Sequence, residues 1–477
     1  DTFKPLMEAF SDETWLAMWE TNRGCPFSCT FCDWGSAITS KVNNFVLEDV
    51  FAEVDWFSKN RIEFVFCCDA NFGILPRDVE ITKYAAENNR KYGYPKKVSV
   101  QNTKNATERA YETQKILADS GLSKGVTISL QTNDMHTLEQ IKRQNISLES
   151  FEKLQRRFTR AGVATYTDFI LALPGETYET FADGVDSVIR TGQHNLIEFN
   201  NLSILPNAEM GDPAYIAKYG LQTVEIPIVY KHGTLDEFGD GIHEFQEMVI
   251  ATNTLSREDW RRVRVYAWMV SFLYFGKLLQ LPLMVLFRMD GLSFRHMFEA
   301  FVEADSSQFP LLARIRDFLF TKARAIQEGD PEFEYSEQWL KIFWPLDEYA
   351  LIDISVNGQL DQFYQEAGSL LATLTNDGTV GKVLDEALLL NRALLKQPFH
   401  SDDLEIDLSC DLLNFYQQIL RGESLPLERT KVSLRVERSK ESWEDWESWM
   451  QYVVWYGQRT GDYFYGSSST NGAIAAQ

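Results

Sequence analysis

Arg23-Gly24-Cys25-Pro26-Phe27-Ser28-Cys29-Thr30-Phe31-Cys32-Asp33 is the stretch on which the reading of this chain turns. Its cysteines are spaced C-x3-C-x2-C. Three thiolates on one short loop can hold three irons of a four-iron cluster and leave the fourth iron without a protein ligand, an open position where chemistry can occur. A closed electron-transfer cluster would want a fourth cysteine nearby, and the remaining ones are Cys67, Cys68 and Cys410. A structural zinc site usually takes two ligand pairs, and no C-x2-C or H-x3-H partner pair follows. Unrelated core cysteines are usually scattered and rarely crowd into eight residues.

Further blocks follow in order: Asp69-Ala70-Asn71-Phe72-Gly73-Ile74-Leu75, Ser129-Leu130-Gln131, Ile141-Lys142-Arg143-Gln144-Asn145 and Leu173-Pro174-Gly175-Glu176-Thr177. Together with the cysteine loop they resemble the core of the radical S-adenosylmethionine (radical SAM) enzymes, whose signature is C-x3-C-x-Φ-C with an aromatic at Φ, here Phe31. The resemblance spans about residues 10 to 225. The wording of the blocks, and of Glu20-Thr21-Asn22-Arg23-Gly24-Cys25, is most similar to the branch that usually carries a cobalamin domain.

The resemblance implies a cofactor pair, a 4Fe-4S cluster on Cys25, Cys29 and Cys32 with S-adenosylmethionine chelated at the open iron. Phe31 is then expected against the adenine, or simply packed under the loop. Asp69 and Asn71 are expected near the methionine amino group, although the family's usual Gly-Gly-Glu is absent and the same residues suit a plain turn. Ser129 and Gln131 suit the ribose hydroxyls, and Arg143 the methionine carboxylate through a bidentate pair; each also has a bland reading, a satisfied strand end and a surface cation. Gly175 permits close backbone approach, and Glu176 is either a site residue or a helix N-terminal carboxylate. Cys67 and Cys68 read as strand packing. His136, in Asp134-Met135-His136-Thr137-Leu138, falls short of the D-x-H-x-x-G cobalt-ligand pattern because the glycine is missing.

A chain of 477 residues has room for two or three domains, and its 44% hydrophobic content supports substantial cores. The net charge of −23 repels phosphate backbones, which makes nucleic acid an unexpected partner. Cysteines that must stay reduced point to a cytoplasmic setting, and no secretory leader is expected. The first residue is Asp1, not Met, which leaves a natural start upstream as an expectation. Val265 to Phe287 is strongly apolar but interrupted by Lys277, Gln280 and Pro282; a buried or interface helix pair is expected there, and no membrane partner.

The first half alternates strand and helix signals. Strands are expected at Trp15–Thr21, Ile62–Cys68, Val98–Asn102, Val126–Leu130, Ala164–Leu173 and Ile197–Leu205. Helices are expected at 47–59, 77–92, 107–120, 148–161, 178–191 and 213–219. Six such units imply a parallel sheet with right-handed connections, and by resemblance a partial (β/α)6 barrel whose strand C-termini gather the motifs at one mouth. The fold class is thus α/β, with a radical SAM core over 1–225, a mostly α-helical C-terminal domain over 226–465 and a flexible tail over 466–477. Within the second half, 227–240 reads as loop, long helical patterns run on through Gln280 and from Phe294 to Gln327, Thr430–Glu437 alternates as a strand, and Glu441–Gln458 reads as a helix capped by Ser442.

The function implied is reductive cleavage of S-adenosylmethionine to a 5′-deoxyadenosyl radical that takes hydrogen from a small-molecule substrate. The electron would come from a low-potential donor such as flavodoxin or ferredoxin. With the first strand near residue 15, this chain has no room ahead of it for the cobalamin domain of the branch resembled. Cobalamin as a further cofactor therefore stays open. One alternative is a cobalamin-dependent methyltransferase whose N-terminal cobalamin domain is missing here; the other is a non-catalytic iron–sulfur scaffold. Sulfur insertion usually brings a second cluster, which Cys410 alone does not supply.

Overall fold

The computed structural model describes residues 3–34, 41–102, 108–123, 125–235, 242–423 and 425–469. It forms two compact units: 1–169 with 204–218, and 170–203 with 219–477. The units are not consecutive in sequence, because residues 170–203 pack within the second.

In the first unit, Leu16–Trp19 lies parallel to Phe64–Phe72, which lies parallel to Lys97–Asn102. Parallel neighbours need a crossover, and the helices Leu47–Lys59 and Arg77–Tyr92 supply two of them. Val50, Val54 and Phe57 recur at spacings of four and three, so they share one helix face and are buried. They pack in one core with Val65 and Cys67 of the central strand and Ile81 and Ala85 of the next helix. Each such side chain contributes about 1.5–3 kcal/mol on full burial. Arg77–Tyr92 ends at Gly93, whose φ of 76° is the left-handed stop that glycine adopts without a Cβ clash.

A second parallel pair joins Val126–Thr127 to Thr165–Leu171. The sequence extends the first of these to Leu130, but regular pairing stops at Thr127. The carbonyls beyond it are taken by side chains: Ser129 O accepts from Arg143, and Leu130 O and Thr132 O accept from Asn145 Nδ2. One isolated parallel bridge, Gln131 to Phe169, resumes the alignment. Among the described residues the strands do not close into a barrel.

The second unit is mostly helical. Tyr178–Arg190 begins with a reciprocal capping box between Thr177 and Thr180, and Leu196–Asn201 is the strand that follows. Gln222–Pro227 pairs antiparallel with Phe245–Ala251, a strand where the sequence reads as helix. Its last four residues are all buried, so the period-2 signal of a half-exposed strand is lost. The expected loop residues 236–240 lie outside the described residues.

The apolar run Val265–Phe287 is a buried pair, Arg257–Val270 extended by a π turn to Phe275, then Gln280–Asp290. Among the described residues no single helix is long and apolar enough to cross a membrane; this pair passes by length and composition but is bent by 93°. The pattern from Phe294 to Gln327 is two helices, broken between Val302 and Pro310, where proline opens the second. Asp445, not Ser442, caps the last aromatic helix, accepting from Ser448 N. Val432–Val436 pairs with Leu404–Leu408 and with Ser467–Ser469; residues 470–477 lie outside the described residues.

Candidate functional site

The cysteine loop leaves the first unit's sheet through Asn22–Arg23, which pairs antiparallel with Asn43–Asn44. Cys25 and Cys29 are buried and Cys32 is half-buried; among the described residues none of the three is in a disulfide. Cys32 N donates to Cys29 O at 3.1 Å, a turn that brings two of the three together in the chain. Thr30, between them, is fully buried. Its N–H donates to Ile141 O, its carbonyl accepts from Met210 N, and its hydroxyl lies 3.0 Å from that of Tyr215. Thr30 thus ties the loop to three other segments of the unit, a role that sequence pattern alone does not mark.

Asn71 and Arg143 approach the thiols. Asn71 Nδ2 donates to Cys25 Sγ at 3.1 Å, while its Oδ1 is buried without a partner among the described residues. Arg143 is 4% exposed, against its bland reading as a surface cation. Its guanidinium donates to Asn145 Oδ1 at 2.8 Å and Ser129 O at 2.6 Å. Burial lowers its pKa, and Cys29, Asp168 and Cys32 pull the other way by charge, with Cys29 also hydrogen-bonded to it. A cation held there attracts negative charge placed beside it.

The structure gives Asp69 a different occupation from the cofactor contact expected of it. Its fully buried carboxylate accepts from Thr21 N at 2.7 Å, Thr21 Oγ1, Asn22 N at 3.2 Å and Asn22 Nδ2 at 2.7 Å. It therefore roots the strand that leads into the cysteines. Burial raises its pKa despite those donors. Asp78 does the same for the turn after Asn71: its Oδ2 accepts from Gly73 N at 2.8 Å and Leu75 N at 2.9 Å, and burial pushes its pKa up to about 6. Nothing in the sequence singled it out, because an Asp early in a helix reads as ordinary first-turn chemistry.

Ser129 Oγ donates to Asp168 Oδ2 at 2.5 Å, so the hydroxyl expected to meet a ribose is engaged within the strand pair. Gln131 takes a left-handed φ of 67°, and its Oε1 is buried and unpartnered. A non-glycine residue held there is strained, and such strain collects at functional sites. Phe31 is half-buried on the loop. Cys67 is fully buried in the core, and burial pushes its thiol well up. Cys68 is half-buried, its sulfur 3.7 Å from Phe66 O. His136 is exposed on the first turn of Met135–Gln140. In the second unit, Gly175 has a φ of 96° and Glu176 is buried just ahead of the Tyr178–Arg190 helix.

Three reduced thiols, an amide donor on one, a buried guanidinium beside the other two, and unpartnered acceptors on Asn71 and Gln131 suit an iron–sulfur cluster with a polar ligand. No group of three or more His, Cys, Asp and Glu among the described residues converges on a single-ion position. A single ion needs its ligands to converge on one point, whereas thiolates around a cluster each bind a different iron.

Residues 19–188 match the profile of the radical SAM superfamily. The chain is 34% identical over 403 residues to the cobalamin-dependent radical SAM methyltransferase TokK of Streptomyces tokunonensis, covering 81% of this chain and 58% of that protein. It is 42% identical over 266 residues to the 2-(S-pantetheinyl)-carbapenam-3-carboxylate methyltransferase of Streptantibioticus cattleyicolor, covering 56% of this chain and 38% of that protein. The chain thus spans about half the length of these curated relatives. Among solved structures, the radical SAM methyltransferase TsrM of Kitasatospora setae, with cobalamin and a [4Fe-4S] cluster bound, aligns at a TM-score of 0.41 and 16% identity, over 65% of this chain and 61% of that one.

Proposed function

Through residues 19–188 the chain belongs to the radical SAM superfamily, and on that footing we propose that Cys25, Cys29 and Cys32 hold a four-iron cluster that serves radical chemistry on a small molecule. The observation that carries this is the pairing of buried thiols with buried polar groups: Asn71 on Cys25, Arg143 on Cys29 and beside Cys32. When bound, the cluster with S-adenosylmethionine would supply the electron that cleaves the sulfonium to a 5′-deoxyadenosyl radical. The chain's own residues position and insulate. Asp69 and Thr30 fix the two ends of the loop. Arg143 and the Asn71 amide hold negative charge on sulfur. Asn71 Oδ1 and Gln131 Oε1 are acceptors ready for the ammonium or hydroxyls of the nucleotide. The substrate is a small molecule and the electron donor a low-potential protein in a reducing, cytoplasmic setting.

A specific observation favours methyl transfer as the outcome. The likeness to TokK covers 81% of the chain, well past the matched superfamily segment and into the helical second unit. We therefore read the overall reaction as methylation of a small molecule with cobalamin as methyl carrier, ahead of hydrogen abstraction alone.

Anaerobic reconstitution with iron and sulfide tests both parts. Expected results are a brown protein that forms 5′-deoxyadenosine from S-adenosylmethionine on reduction, loss of colour in Cys25→Ala, Cys29→Ala and Cys32→Ala, and methylcobalamin formed from S-adenosylmethionine when reduced cobalamin is supplied in excess. Iron binding that survives all three substitutions, or a loaded protein that never cleaves, overturns the cluster reading. Cleavage with no methylcobalamin formed overturns only the methyl-transfer part.

A further inference from the structure

The second unit has an open pocket of about 260 Å³ that runs along the strand Leu196–Asn201. It is polar and built of charge. Arg264, 4% exposed, donates to Phe199 O and to Glu332 Oε1, each at 3.3 Å, and stacks on Trp268 with 4.4 Å to the ring centre. Among the described residues its Nε has no partner. Glu332 also accepts from Asn201 Nδ2 at 2.7 Å, which leaves Asn201 Oδ1 buried and unpartnered. Lys231 Nζ lies 3.3 Å from Glu198 Oε1.

The lining carboxylates are Glu198, Glu332 and Asp347, against the cations Lys231 and Arg264. Glu198 and Glu332 each have a cation at ion-pair distance; among the described residues Asp347 has none. Behind it, Glu348 is bonded by His232 Nε2 at 2.7 Å. Lys231 sits in the field of Glu198, Glu348 and Asp347 together. Burial pushes Glu348 up to about 8, so it keeps its proton at neutral pH. Asp347 is left as the lining carboxyl that has no cation at ion-pair distance among the described residues, a position an added cation would complete.

We propose that this cavity binds a small molecule through a primary ammonium group, received by Asp347, with Asn201 Oδ1 as a further acceptor and Arg264 Nε as donor to a second polar atom of the ligand. The volume suits a ligand of amino-acid size. Burial pushes the Asp347 carboxyl up to about 7, and a bound ammonium would reverse that shift.

Titration calorimetry on the full 477-residue chain without cluster separates this proposal from the reading of the cysteine loop. The probes are n-butylammonium and the neutral n-butanol, in about 0.15 M salt to suppress loose attraction to an acidic surface. The amine is expected to bind once per chain, at least roughly tenfold more tightly than the alcohol. Asp347→Asn should weaken it by at least about tenfold while leaving the fold intact, since it removes an uncompensated charge. Ser271→Met, which fills the same cavity without changing charge, should weaken it likewise, and the exposed control Asp402→Asn should bind as wild type does. Equal binding of the alcohol, undiminished binding to Asp347→Asn, equal loss in Asp402→Asn, or no amine binding at about 10 mM would each overturn the proposal.

Discussion

Replacing Asp78 by Asn should make this protein more stable, and increasingly so as pH rises. Asp78 is fully buried, with Gly73 N and Leu75 N both on Oδ2 and no partner on Oδ1. Burial lifts its pKa from 3.8 to about 6. The folded state therefore holds the proton more tightly than the unfolded one. The associated stability is fully present below about pH 3.8 and is lost as pH rises through about 6. The shift of roughly two units is worth about 3 kcal/mol at 1.36 kcal/mol per unit. An Asn keeps one oxygen for both N–H groups and cannot ionise. Its advantage over Asp should grow from about 0.5 kcal/mol at pH 4 to about 3 kcal/mol at pH 8. Urea midpoints of both proteins by circular dichroism across that range measure the difference. A gap that does not widen with pH, or a variant less stable at pH 8, would refute the assignment of the raised pKa to this burial.

Asp69→Ala should cost about 3–5 kcal/mol, because it strands Thr21 and Asn22 donors in the interior; urea unfolding and iron uptake of the same preparation should fall together. Gly73→Ala should cost about 2–3 kcal/mol, since φ is 90° and a Cβ would lie 2.8 Å from Ala110 Cα; its melting temperature reports this. Lys277→Met should stabilise by about 2–3 kcal/mol at pH 7. Burial lowers the Lys277 pKa from 10.5 to about 7, so wild type loses stability as pH falls through that window. Its two acceptors keep other donors, Tyr416 OH on Gln280 Oε1 and Gln280 Nε2 on His194 O. The variant's advantage should shrink toward pH 10 in the same unfolding assay.

The sequence was most informative where one period governs a whole element. Arg77–Tyr92 and Pro213–Tyr219 have the bounds their patterns predict, because helix faces and glycine stops are local signals. The parallel strands were legible for the same reason. What escaped is set by partners distant in sequence. The strand Phe245–Ala251 is buried on both faces at its end and carries no alternation. The stop at Thr127 depends on Arg143 and Asn145 capturing carbonyls. At the candidate site, the cysteine spacing was visible and so was Arg143 as a cation. That Asp69 would spend its carboxylate on Thr21 and Asn22, some 48 residues back, was not. Thr30 and Asp78 were invisible because a small polar residue advertises nothing until its neighbours are known. The polar cavity beside Leu196–Asn201 gathers Lys231, Arg264, Glu332 and Asp347 from segments that no motif connects.

The stretch 170–203 closes the argument about how this chain can be divided. Its helix Tyr178–Arg190 buries Phe181, Val185, Val188 and Ile189, and Tyr178 and Asp183 reach Glu299 and Arg295 more than a hundred residues later. Any fragment or hybrid cut near residue 225 would strip that greasy face of its cover and leave it to aggregate. A graft that respects the packing must carry 170–203 along with everything after 219, so what passes intact from one protein to another is a pair of threaded pieces.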